Sequence, residues 1–178
     1  MVVATMSRLA WGAVALGAIA FLVALAVSGG RREPGLEAFT PKGMMVIPAE
    51  DVQQIDLITP RGHWHFVRAQ DGWRATEGRA PAGLEMRLDS ALKLLRNSGP
   101  ERVLTEAEVA RTGAAQFGLE PPRLRVVVSG PGASVFAISF GITNPLGLSH
   151  YARLDGSREI ALLPAFVAEE WERAGEAP

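Results

Sequence analysis

The sequence contains no cysteine, which excludes a disulfide framework, a thiolate-held zinc or iron–sulfur centre, thiol catalysis and lipid attachment through sulfur. It has no surplus of either charge. Lys plus Arg number 18 against 19 Asp plus Glu, a formal net charge of −1. Domains that hold nucleic acid by electrostatics carry a clustered basic excess, so no nucleic-acid partner is expected. Also missing are a Gly-x-Ser-x-Gly elbow, a phosphate-binding loop, a His-Glu-x-x-His pair and the glycine pattern of dinucleotide-binding folds. The richest glycine stretch, residues 129–134, lacks the lysine and the following helix of a phosphate cradle, and reads as a hairpin turn. Glu169, Glu170 and Glu172 form a run on a terminal helix, the usual mark of a solvated face rather than of a paired acid and base. These absences predict a protein that is not an enzyme and carries no cofactor.

What is present begins with a long apolar run. From Leu9 to Val27, nineteen consecutive residues carry no charge, bounded by Arg8 and by Arg31-Arg32. As a helix rising about 1.5 Å per residue, this run would span roughly 28 Å, near the thickness of a bilayer core. The expectation is a single transmembrane helix over residues 9–28, preceded by a short tail, 1–8. The competing reading is a cleaved signal peptide, because Ala24-Leu25-Ala26 has the small-x-small form of a cleavage site. Ala10, Ala13, Gly17, Ala20 and Ala24 recur at spacings of three and four, which places them on one helical face. Such a seam lets a second helix approach closely, and in lipid that contact is a main source of association energy. It is the candidate docking interface for an integral membrane partner, with the lipid bilayer around the rest of the helix.

Residues 29–45 contain four Gly and two Pro without an apolar period and read as a stalk. Residues 46–178 are long enough for one hydrophobic core. Alternation over Val52 to Thr59 and His63 to Arg68, around Pro60-Arg61-Gly62, predicts a hairpin, and Trp73 and Ala75 predict a third strand after Asp71-Gly72. Leu84, Leu88, Leu92 and Leu95 predict a helix that stops at Gly99-Pro100. Thr105 followed by Glu108 is a capping-box pattern for a second helix, closed by Gly113. Four strand-like runs follow, 124–128, 135–140, 149–154 and 160–163, and then a helix through Phe166 and Trp171. The predicted class is α+β: mostly antiparallel strands, helices packed on one face, and two strand-strand-strand-helix repeats.

Several of these segments resemble a known family, the bacterial Domain of Unknown Function 4340. The similarity lies in Ile55-Asp56-Leu57, Asp71-Gly72-Trp73, Phe117-Gly118-Leu119-Glu120-Pro121-Pro122, Phe140-Gly141 and Tyr151-Ala152-Arg153, and it extends over residues 46–173. The resemblance implies a membrane-anchored exported domain associated with ABC-type transport systems, and carries over no catalytic residues.

Together these readings predict a single-pass accessory or structural subunit of a larger bacterial membrane complex, an ABC-type transporter or a respiratory or photosynthetic assembly. The short N-terminal tail places the anchor in the cytoplasmic membrane and the C-terminal domain in the periplasm. The alternative is an envelope module gripping a glycan or small ligand in an aromatic-lined concavity. Trp64, Trp73 and Tyr151 are then the candidate aromatic contacts, although each also suits a core position. A third reading gathers His63, His65 and His150 around a metal. Its competitor places His63 and His65 on a solvated strand face opposite Trp64 and Phe66.

Overall fold

A computed structural model describes residues 16–24, 41–76 and 83–175. The chain divides into two units, residues 1–40 and 41–178. In the first, residues 16–24 are helical (α1) and exposed throughout. Among the described residues no helix is long and apolar enough to cross a membrane. Residues 9–15 and 25–28 of the expected span, with Ala10, Ala13, the tail and stalk residues 29–40, lie outside the described residues.

The second unit begins at Pro41, earlier than the position 46 expected from composition. Gly43 N–H donates to the Arg96 carbonyl at 2.8 Å, and Met45 is buried against the core. The glycines and prolines of the preceding stretch hid this short packed segment in the sequence.

The strands are β1 (Gln54–Thr59), β2 (Gly62–Ala69), β3 (Gly72–Ala75), β4 (Arg102–Leu104), β5 (Leu124–Ser129), β6 (Val135–Thr143), β7 (Ser149–Leu154) and β8 (Ile160–Pro164). Among the described residues they form one sheet in the order β3-β2-β1-β5-β6-β7-β8-β4, every neighbouring pair antiparallel. The helices are α2 (Leu84–Asn97), α3 (Glu106–Thr112) and α4 (Ala165–Gly175). The α+β class and the antiparallel sheet agree with the sequence pattern.

Two meanders, β1 to β3 and β5 to β8, meet edge to edge through the β1·β5 pair. Each is followed by a long helix. The second contains four strands before α4, so the expected three-strand repeat is not kept in that half. Its fourth strand accepts β4, which pairs Leu104 with Ile160. Both edge strands, β3 and β4, are short, which limits the unpaired backbone offered to other chains.

Helices α2 and α4 cover one face of the sheet. Leu84, Leu88, Ala91, Leu92 and Leu95 of α2 and Val167, Ala168, Trp171 and Ala174 of α4 pack on Ile55, Leu57, Phe66, Val126, Ile138, Phe140 and Leu163. Full burial of each large aliphatic side chain contributes about 1.5–3 kcal/mol. Arg87 near the start of α2 donates to the Arg173 carbonyl near the end of α4, so the two helices run in opposite directions. Trp171 is fully buried, and its indole N–H has no acceptor among the described residues.

Helix α3 contradicts the expectation of helices on one face only. Val109 of α3 packs with Leu104, Phe117, Leu119 and Ile160 in a separate cluster. Ile160 alternates with Ala161 and Leu163, whose side chains point the other way, so this cluster lies on the opposite face. The capping box itself is as expected: Glu108 N–H donates to Thr105 Oγ1, and Thr105 N–H donates to the Glu108 carboxylate at 2.8 Å. Gly118, at φ +67°, turns the chain after residues 114–117, and residues 119–122 close a tight turn through a Leu119–Pro122 bridge.

Candidate functional site

Gly17, Ala20 and Ala24 of the expected helical seam fall within α1; Ala10 and Ala13 lie outside the described residues. Their three- and four-residue spacing places them on one side of the helix. A Cβ added at Gly17 would meet nothing within 4 Å. Around the seam, Leu16, Ile19, Phe21, Leu22 and Val23 are each more than half exposed, between 56% and 71%. Five large apolar side chains on one short helix form a surface that water disfavours and that lipid or protein would cover.

The candidate aromatics go elsewhere. Trp73 is buried, its indole N–H donates to Asp89 on α2 at 3.0 Å, and the Arg68 guanidinium stacks 4.3 Å above its ring. Arg68 is anchored in turn to the carbonyls of Val52 and Ala49. Tyr151 meets Phe117 edge to face at 4.8 Å, inside the cluster beneath α3. Trp64 is half-buried and packs against the main core from β2. All three rings make internal contacts, and they do not converge on one concavity. An open groove lies instead between the β1–β2 turn and the end of α4, lined by Thr59, Pro60, Arg61, Arg123, Glu172 and Gly175. An ion pair between Arg123 and Glu172 at 2.9 Å crosses it.

The three histidines are not brought together. His63 and His65 lie on β2, and His150 lies on β7, with β1, β5 and β6 between them. His150 is buried and bonded to the Gly141 carbonyl at 3.2 Å. Among the described residues no group of His, Cys, Asp and Glu side chains could hold a metal ion. The competing reading describes β2 well: His63 and His65 face away from Phe66 on the side of the sheet that α2 and α4 leave open.

There they share a partner that sequence reasoning missed. Asp56 stands directly across from His65 on β1, and its Oδ1 accepts from His63 Nε2 at 2.8 Å and from His65 Nδ1 at 2.9 Å. Partial burial alone would raise the Asp56 carboxyl, but the hydrogen bonds and charges of the two imidazoles outweigh it and hold the group below its ordinary value. Hairpin register was the available signal: pairing Thr59 with Gly62 fixes Asp56 opposite His65. On the same face Arg125 of β5 makes a bidentate pair with Asp155, one contact at 2.6 Å, and that bond holds the Asp155 carboxyl low. Arg153 pairs with Glu120 at 3.1 Å. Asp56, Asp155 and Glu120 on this face thus each have a cationic or imidazole partner among the described residues.

No match to this chain is found among protein-family models, curated proteins or solved structures.

Proposed function

We propose that the protein is a non-enzymatic, single-pass accessory subunit of a bacterial membrane complex. Its N-terminal helix docks on an integral membrane partner, and its α+β domain stands outside the cytoplasm. The observation that carries this reading is α1, whose apolar side chains are exposed while Gly17, Ala20 and Ala24 line one side. That helix lies within the nineteen-residue uncharged run, long enough as a helix to reach across a bilayer core. The resemblance of residues 46–173 to a family associated with ABC-type transport supports a transporter as the parent assembly. The alternative of an envelope ligand-binding module has weaker support, because Trp73 and Tyr151 commit their rings to internal contacts.

The test is fractionation of native membranes followed by affinity purification in mild detergent. The protein is expected to remain in membranes washed with alkaline carbonate and to co-purify with an integral membrane protein in fixed ratio. A Gly17→Leu, Ala20→Leu variant is expected to remain in the membrane but lose that partner. Release of the wild-type protein into the carbonate wash, or its purification alone, would overturn the proposal.

A further inference from the structure

The tip of the β6–β7 connection is apolar and uncharged. Residues 126–152 include no Asp, Glu, Lys or Arg, and at their tip Leu146 and Leu148 are 77% and 65% exposed. Ala165 N–H donates to the Leu148 carbonyl, which brings the start of α4 and the half-exposed Phe166 beside them. The tip is also closed upon itself. Asn144 N–H donates to Ser149 O, Gly147 N–H to Asn144 O, and the amides of Leu148 and Ser149 both donate to Asn144 Oδ1. Pro145 has no N–H to satisfy, and Gly147 sits at φ +74°, where glycine is unstrained. Among the described residues the Leu146 N–H has no acceptor in this turn, while the N–H groups of Asn144, Gly147, Leu148 and Ser149 keep theirs when water is removed.

The position of this tip matters as much as its chemistry. The chain joins the domain at Pro41 and Lys42, and Lys42 lies against Gly99 just after α2. Two residues further, Glu101 accepts from Ser149 Oγ at 2.5 Å, at the base of the tip. The segment that leads back to the apolar N-terminal run therefore enters the domain near Gly99 and Glu101, at the end of the sheet from which the tip projects. Thirteen residues, 28–40, separate Val27 from Pro41, a reach of at most about 45 Å. That length bounds how far the domain can lie from any surface the N-terminal run occupies. Lys42, on this entering segment, is exposed.

We infer that this tip is a second membrane contact, in which Leu146, Leu148 and Phe166 enter the interfacial layer of an anionic bilayer. The inference rests on the anchored reading proposed above. A fluid bilayer suits the tip better than a protein partner does, because two exposed leucines stand on one short turn and the chain enters the domain at the same end of the sheet, with Lys42 exposed there.

The absence of cysteine makes the test direct. Full-length Leu146→Cys protein, and Glu159→Cys protein labelled at the other end of the sheet, each carry one environment-sensitive fluorophore. Both are reconstituted with vesicles of phosphatidylcholine and phosphatidylglycerol in equal amounts. The label at 146 is expected to lose quenching by aqueous iodide and gain quenching by lipid-borne nitroxide, while the label at 159 stays in water. Adding Leu148→Gln and Phe166→Gln to the Leu146→Cys protein is expected to return its label to water, with the melting transition retained. A protein that floats with vesicles but keeps the 146 label in water overturns the tip contact alone. Protein that fails to float overturns the anchored reading and this inference with it. Shielding of the 146 label in native membranes but not in pure lipid overturns the lipid contact in favour of a protein one.

Discussion

β1 and β8 belong to the same sheet, yet β1 offers one apolar face and β8 offers two. In β1, Ile55 and Leu57 are fully buried beneath the helices, while Asp56 on the other side joins the histidines of β2. In β8, Ala161 and Leu163 point toward the α2 and α4 side, and Ile160 and Leu162 pack under α3 and the turn through Phe117. The difference is written in the strands themselves: Gln-Ile-Asp-Leu alternates, whereas Ile-Ala-Leu-Leu does not. An antiparallel sheet can leave one face to water only where its strands alternate, so the continuous run in β8 required cover on both sides. The same sheet is thus a two-layer structure at the β1–β2 end and a three-layer one at the β8–β4 end.

That contrast can be broken or sharpened by substitution. Phe140, fully buried at the middle of the sheet, serves both ends. Phe140→Ala is expected to cost about 3–5 kcal/mol in urea unfolding, with a single transition. Two separated transitions would show that the ends are independent units. Ile160→Ala, confined to the three-layer end, is expected to cost about 2–5 kcal/mol, toward the lower limit because its cluster is small. Hydrogen exchange is expected to quicken in α3 more than in α2. Thr105→Ala removes the cap of α3 and is expected to cost about 1 kcal/mol, read as a lower melting temperature with little change elsewhere in the sheet.

At the two-layer end the effects shrink and become dependent on pH. Asp56→Asn keeps an acceptor oxygen but removes the partly exposed negative charge, and a loss of about 0.5–1 kcal/mol is expected at neutral pH. The folded-state pKa of Asp56 is lowered from its ordinary 3.8, so its contribution is complete above that value and fades as pH falls through the folded pKa. Melting temperatures of the wild type and Asp56→Asn, compared on acidification, are expected to converge in that window and not near neutrality. Smallest of all, Val127→Thr on the open face is expected to change stability by less than about 0.5 kcal/mol. A loss several times larger would mean that something covers this face.

The elements with a clear period were legible before the structure. The β1–β2 alternation, the leucines of α2 and the Thr105–Glu108 capping box each correspond to an observed element. β4 was not legible, because Arg102-Val103-Leu104 is too short to show a period and exists by virtue of its pairing with β8. The side on which α3 packs was also missed, although the unbroken apolar run in β8 had encoded the need for a second layer. Of the candidate site residues, His63 and His65 were placed on the correct side of β2, but Asp56 required the hairpin register. For Trp73 the core position that its sequence also suited is the observed one, but its partners Asp89 and Arg68 were not legible in the sequence.

The seam between the meanders also has a kinetic meaning. Hairpin partners within each meander are close in sequence, whereas the β1·β5 pair brings together Ile58 and Arg125, 67 positions apart. Closing so long a loop costs entropy before any cross-seam contact repays it, so each meander forms on its own time and their union sets the pace of folding. Side chains along that union, Val126 on Leu57 and Val128 on Ile55, therefore set how long a newly made chain carries two unjoined strand edges.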